Sequence, residues 1–350
     1  MRRRTAWVLH CTLAGALLGA ALLAGAPLFA ATSEDPRQWL EKMTHALATR
    51  NYEGIFFHLS NGQVETMRIV HRYRGGRVSE RLESLDGSGR EYIRSNDRLT
   101  CYLPDQHTVL VEMRPGSGSF LSSLPHFGKG VNRFYQIDAL PNGRVLGRVV
   151  RVIAVNPKDQ YRFGYRVWLD QQSALPLKTQ LCDAHGRVLE QILFARLALP
   201  KNIPDRDLKP AVARADMRWI VQGPSAHAAP ALLGFRPSAL PPGFHLTMAG
   251  AQTLGSAREP AEHLVYSDGL ATVSVFVEAR REEVASSGAA AAAGTALAPM
   301  HGLARVGSEF AFSTVVQGHQ VTAVGEVPAE TVEYIAHSVK ALSRADVVRH

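Results

Sequence analysis

The residues best placed to do chemistry in this 350-residue chain are arginines and aromatics rather than nucleophiles. Arg68, Arg72 and Arg74 stand at even-numbered positions along a segment that reads as a strand, so with period two they share one face. Met67, Ile69 and Tyr73 take the other face, and His71 and Arg77 stand close by. A basic stripe of this kind meets acidic peptide or lipid phosphate through charge-assisted hydrogen bonds; a solvated outer sheet face is the competing reading. A second group sits on the glycine-rich segment 115–131, where Phe120, Leu121, Leu124 and Phe127 are spaced among Gly, Ser and Pro. Such a loop acts as a lid over an apolar cavity or as a finger that docks a partner. Alternatively it folds down and plugs the sheet's own apolar face.

Motifs for covalent or cofactor chemistry are missing. The chain has no Gly-x-Ser-x-Gly elbow, no His-Glu-x-x-His pair, no phosphate-binding Gly-Lys-Ser/Thr loop and no dinucleotide Gly-x-Gly-x-x-Gly. Its histidines are scattered singly, without metal-ligand spacing. The expectation is a protein without catalytic residues, metal or cofactor. Lys and Arg outnumber Asp and Glu by 39 to 31, and by 36 to 31 once Arg2, Arg3 and Arg4 are set aside. That excess is too small to call for nucleic acid.

The first residues read as an address. Arg2-Arg3-Arg4 precedes an apolar stretch from Ala6 to Ala31, and Leu28-Phe29-Ala30 then Ala31 puts small residues at its end. This is the pattern of a secretory signal peptide over residues 1–31; an uncleaved anchor is the alternative, because the run is long enough to span a bilayer. Beyond it lie two cysteines, Cys101 and Cys182. Export permits a disulfide, which would stabilise the fold by roughly 4–5 kcal/mol in the chain-entropy treatment. Two separate buried thiols are the other reading.

At about 150 residues per domain, two domains follow the signal. Asp35-Pro36 starts a helix whose Trp39, Leu40, Met43 and Leu47 fall on one face. After Asn51 the chain turns strand-like, with Asn61-Gly62, Gly75-Gly76, Asp86–Gly89 and Pro104-Asp105 as turns. Strands resume at Arg144–Val155, Tyr161–Leu169, Leu177–Cys182 and Val188–Leu197. In Tyr161–Asp170 the odd positions form an apolar face, and Arg162, Arg166 and Asp170 a polar one. The aromatics Tyr52, Phe56, Tyr161, Phe163, Tyr165 and Trp168 fill the core or contact a ligand. One amphipathic helix barely covers a sheet of this size, which predicts a hollow that takes acyl chains. The expected organisation is a mainly β, α+β chain: residues 34–205 as the large domain, 206–235 as linker, and 236–345 as a smaller α+β domain. The Ala- and Gly-rich segment 285–298 reads as a loose loop or frayed helix.

Several segments carry a family resemblance. Tyr52-Glu53-Gly54-Ile55-Phe56-Phe57, then Glu65–Arg72 and Glu80–Gly87, resemble the opening of the MucB/RseB family. Trp168-Leu169-Asp170, Leu175–Lys178 and Gly186–Gln191 fit it too, as do Leu240–Phe244, His263–Gly269 and Gly325–Ala329 in its C-terminal region. The resemblance implies a periplasmic regulator with a large unclosed antiparallel β-barrel, like the lipoprotein carriers, with helices in its mouth, and a smaller antiparallel sheet with helical cover. It further implies that the chain binds the periplasmic region of a transmembrane anti-sigma factor and shields it from proteolysis. Release would follow when an amphiphilic lipid, lipopolysaccharide or lipoprotein ligand is sensed. A homo-oligomer is compatible with that role. The alternative function is a periplasmic lipid or lipoprotein carrier.

Overall fold

The computed structural model describes residues 34–95, 97–113, 131–211, 216–222, 234–252, 260–279 and 302–342, and the described residues from Asp35 onward form one compact unit. The expected signal peptide, the loop with Phe120, Leu121, Leu124 and Phe127, and the Ala-rich segment 285–298 lie outside the described residues.

Helix α1 (Pro36–Thr49) starts where Asp35 accepts a hydrogen bond from the Arg37 amide at 2.9 Å, with Pro36 in the first turn. It buries Trp39, Leu40, Met43, Ala46 and Leu47, the face expected from their spacing. The strands that follow are β1 (Tyr52–Ser60), β2 (Gln63–Arg74), β3 (Arg77–Ser84), β4 (Glu91–Ser95), β5 (Arg98–Leu103) and β6 (Thr108–Met113). Next come β7 (Tyr135–Val145), β8 (Arg148–Pro157), β9 (Gly164–Asp170), β10 (Pro176–Cys182), β11 (Val188–Ala198) and β12 (Arg218–Gln222). These twelve form one sheet in the order β12-β6-β5-β4-β3-β2-β1-β11-β10-β9-β8-β7. Every neighbouring pair is antiparallel except β12 on β6, which is parallel. Strands β7 and β12 are the two ends and do not pair, so the sheet is unclosed.

Tight turns set its register. Asn61-Gly62, Gly75-Gly76 and Leu146-Gly147 each place two successive residues at positive φ, the backbone twist that suits two-residue hairpins. The last of these corrects the expected strand start at Arg144. The chain is already extended from Tyr135, and Pro141-Asn142-Gly143, which looks like a turn in sequence, is absorbed as an irregularity in the β7–β8 ladder. The segment taken as linker also contributes structure, because Arg218–Gln222 joins the large sheet and Trp219 packs edge-on against Tyr102.

The second sheet contains β14 (His245–Gln252), β15 (Ala261–Ser267), β16 (Thr272–Ala279), β17 (Gly302–Val306), β18 (Glu309–Val316) and β19 (His319–Gly325), after the short strand β13 (Phe235–Pro237). Its order is β14-β15-β16-β19-β18-β17. Helix α2 (Ala329–Ser338) lays Val332, Ile335 and Ala336 against it, and β20 (Val339–Ala341) then pairs with β13. Each sheet has its own apolar core. The larger gathers Leu40, Met43, Ile69, Val152, Val167 and Leu177, the smaller Leu264, Val273, Val275, Val321 and Ile335. Phe310 touches both cores.

Cys101 in β5 and Cys182 in β10 are both buried and both free. The disulfide reading is therefore set aside. In the sheet order five strands stand between β5 and β10, whereas a disulfide needs Cα atoms within about 7 Å.

Gly54 of β1 is the tightest point of the β1–β11 ladder. A β-carbon there would lie 2.6 Å from the Phe194 ring and equally close to the Arg196 carbonyl oxygen. Replacement Gly54→Ala is expected to destabilise the fold by about 1–3 kcal/mol, measured by urea unfolding. An unchanged midpoint would show that the ladder relaxes freely.

Candidate functional site

The two sheets meet along a joint built from the loop before β9 and the turn between β15 and β16. Sequence alternation assigned Arg162 to a polar outer face, yet it is 1% exposed. The reason is that β9 begins at Gly164, so period-two alternation does not reach Arg162, and the turn before the strand points it inward. Its guanidinium donates to Asp268 of the smaller sheet, to Asp159 at 2.9 Å and to the Pro242 carbonyl at 2.7 Å. The Phe134, Tyr135 and Phe244 rings surround it, with centroids 4.8, 5.5 and 5.3 Å from the guanidinium carbon. Asp268 also accepts from the Tyr135 hydroxyl at 3.1 Å and from the Leu270 and Ala271 amides at 2.8 and 2.7 Å. Nearby, Thr331 of α2 donates to the Tyr161 carbonyl at 2.8 Å, and the Tyr161 and Tyr334 rings lie 5.6 Å apart. Asp170, also placed outside by alternation, is buried. It accepts from Ser173 at 2.6 Å and Arg148 at 3.3 Å.

Beside this latch lies a cavity of about 360 Å³, walled by β1, β9, β10 and β11 on one side and by the β17–β18 turn and Glu326 on the other. The Ser308 hydroxyl is 2.9 Å from Glu190 and 2.5 Å from Glu326. His58 places Nε2 3.1 Å from Glu190 and Nδ1 3.8 Å from Glu65. Burial and the neighbouring Glu190 push the Glu326 carboxyl up to about 7. Its hydrogen bond with Glu190 requires a proton, which Glu326 keeps. Glu190 is itself held below the usual carboxylate range despite burial, by hydrogen bonding and charge from His58 and by Ser308. The Glu190 hydrogen bond raises His58 above its ordinary value. Ser308 donates to carboxylates rather than to His58, so this is not an imidazole-activated nucleophile. It is a polar seam that holds shared protons between two sheets.

The sequence-derived stripe is dispersed. Arg68 faces Glu83 at 3.9 Å, and Arg72 bonds Asp205 at 2.5 Å and the Ile203 carbonyl at 3.1 Å. Ile203 and Leu208 cover Val70 on the same face. Arg74 and Arg77 stand exposed at the β2–β3 turn. His71 is fully buried on the opposite face, stacked on Tyr52 at 4.5 Å, and burial drives its pKa down to about 4. It is neutral at pH 7 and adds nothing to the stripe, while Tyr73, expected inside, is exposed. The sequence reading did not single out His58, Glu190, Ser308 or Glu326. Glu190 and Glu326 stood only within segments that carried the family resemblance, since pairing across elements far apart in sequence leaves no local pattern.

Comparison with known proteins agrees with this architecture. The MucB/RseB N-terminal domain matches residues 35–212, and the MucB/RseB C-terminal domain matches residues 230–340. The regulatory protein MucB of sigma factor AlgU from Pseudomonas aeruginosa is 32% identical, over 89% of this chain and 92% of its own. The sigma-E factor regulatory protein RseB of Escherichia coli K12 is 26% identical, over 91% and 96%. The structure of the Pseudomonas aeruginosa MucA/MucB complex superposes with a TM-score of 0.65 at 27% identity, over 89% of this chain and all of the other. A crystal structure of MucB superposes at 0.58 with 30% identity, over 89% and 99%. Fold and site thus define a two-sheet class of sigma-factor regulatory proteins. The chain belongs to the MucB/RseB family.

Two consequences follow for stability. Replacement Arg162→Ala strands Asp268 in the joint and is expected to cost about 3–5 kcal/mol. Arg162→Lys recovers only part of this, because its three donors sit on one nitrogen and cannot reach the three acceptors that Nε, Nη1 and Nη2 meet separately; thermal unfolding of both variants measures the difference. For Glu326, a folded-state pKa raised from 4.5 to about 7 favours the fold below the ordinary carboxylate range, and this contribution is lost as pH rises through about 7. Glu326→Gln imitates the protonated form. It is expected to match the parent at pH 5 and melt higher at pH 8; an equal offset at both pH values would refute the shared proton.

Proposed function

We propose that this protein is a periplasmic regulator that binds the periplasmic region of a transmembrane anti-sigma factor and shields it from proteolysis. It lets go when a lipid-type envelope-stress ligand binds. The observation that carries the reading is likeness along both sheets, over 89% of this chain, to a MucB structure seen together with MucA. The relatives' names as sigma-factor regulatory proteins support it as well. Neither step needs bonds to be made or broken. Both need two arrangements of the molecule with different affinity for peptide and lipid. The joint described above suits that purpose, because each sheet has its own core and the contacts between them among the described residues include a buried ion pair and a polar seam. A ligand shifts the complex only as far as it prefers the peptide-free arrangement.

The lipid arm is proposed for the sequence segment around Phe120, Leu121, Leu124 and Phe127, and a lipid or lipoprotein carrier is the rival function. The deciding experiment is calorimetric titration with the periplasmic region of the membrane protein encoded beside this gene. Tight binding that lipopolysaccharide reverses is expected, and changing those four apolar residues to Ser should weaken reversal while leaving binding intact. Recovery of lipoproteins alone would replace the regulator with the carrier.

A further inference from the structure

We propose that the cavity between the two sheets receives the guanidinium or ammonium group of a basic side chain, carried on an extended segment of the protein partner. The proposal rests on the regulator reading only for the identity of that partner; the chemistry comes from the cavity. Glu190, Glu309 and Glu326 converge on it from three places in the chain, and His58 is the basic side chain among its lining residues. The Ser308 hydroxyl carries one hydrogen and faces two carboxylates, so it satisfies only one of them at a time.

An independent observation points to a ligand. Tyr165 of β9 lines the cavity and is 8% exposed, and its hydroxyl has no hydrogen-bond partner among the described residues. That hydroxyl opens onto the cavity, where it is available to accept from a donor brought in by a ligand. A cation with several N–H donors completes the phenol oxygen and the carboxylates together. A metal ion does not fit, since among the described residues no group of three His, Cys, Asp or Glu has the geometry to hold one. Leu181, Ile192 and Val306 supply an apolar wall for the methylene stem of an arginine or lysine.

A peptide is favoured over a lipid amine by what adjoins the cavity. Among the described residues strand β17 is the outermost of its sheet and ends at Val306 on the rim, with Leu303 and Val306 47% and 75% exposed. An extended segment laid along β17 delivers its side chain to this point. The titrating and charged groups that face Glu326 are His58 on β1, Glu65 beyond it on β2, Tyr165 on β9, Glu190 on β11 and Glu309 at the start of β18. An incoming cation takes the place of the proton that Glu326 shares with Glu190. Binding therefore strengthens as pH rises through about 7, and loss of charge on His58 acts in the same direction.

The test is calorimetry on the full chain at pH 6 and pH 8 with two probes. One is acetyl-Ile-Arg-Ile-amide, and the other is the same peptide with uncharged citrulline in place of arginine. The arginine peptide is expected to bind at least about tenfold more tightly, with the margin widening at pH 8. The double variant E190Q/E326Q is expected to remove the preference. Tyr165→Phe should weaken arginine-peptide binding without lowering the melting temperature, which a purely structural tyrosine would not do. Equal affinity for both peptides, no binding of the arginine peptide, or an undiminished preference in E190Q/E326Q would overturn the proposal. Binding of short-chain phosphatidylethanolamine without the arginine peptide would assign the cavity to lipid amines and overturn it too. If the anti-sigma region binds parent and double variant alike, the regulator reading stands and the cavity assignment fails. If the arginine peptide binds as expected but the anti-sigma region does not, the reverse holds.

Discussion

A guanidinium withdrawn from water tolerates burial only when donors, charge and surrounding rings are all answered at once. Arg162 meets that demand with groups from two sheets. Asp159 comes from its own loop, Asp268 and the Pro242 carbonyl from the other side, and three aromatic rings close over it. Because the acceptors sit on separate cores, the ion pair is satisfied only when the sheets are in register. The surrounding geometry follows from this. Gly243 lies at positive φ directly against the Phe134 ring, where any β-carbon would collide. Tyr135 is held at the joint with its hydroxyl on Asp268, and burial beside that carboxylate keeps the phenol protonated. The latch thus fixes orientation, and the seam of Ser308, Glu190 and Glu326 beside it is placed by consequence.

Latch and seam differ in kind. The latch sets one guanidinium between two aspartates amid dense donors, and it costs much to open. The seam has an excess of carboxylates, and near neutrality its contacts depend on where one proton resides. A joint with one firm element and one soft element opens about the firm one. That is the mechanical minimum for the two-arrangement regulator proposed above.

Legibility in the sequence followed the range of the forces involved. Helix α1 and the strands β1, β2 and β6 were readable because capping, turn residues and alternation act within a few positions, as at Asp35-Pro36 and Asn61-Gly62. Strand β7 was hidden by Pro141-Asn142-Gly143, whose turn chemistry is overridden by pairing with β8. Arg162 and Asp170 were misassigned because alternation says which way a side chain points, but not whether another part of the chain waits there. Within the Arg68–Arg77 stripe, the partners of Arg72 were hidden in the same way, since Asp205 and Ile203 arrive from more than a hundred residues away. The joint and cavity are sums of such distant meetings, and no window of sequence contains them.

The parallel strand β12 has a mechanical meaning of its own. It is drawn from the stretch that connects the two sheets, so the slack between them is metered by five residue pairs zipped onto β6. While those pairs hold, the large sheet keeps its grip on the chain as far as Gln222. Without them the last described tie before that point is the Ala211 amide on Glu91, and the stretch between the two spans roughly 35 Å at full extension. Fraying of an outer edge of the large sheet and the travel permitted to the small one are therefore a single degree of freedom.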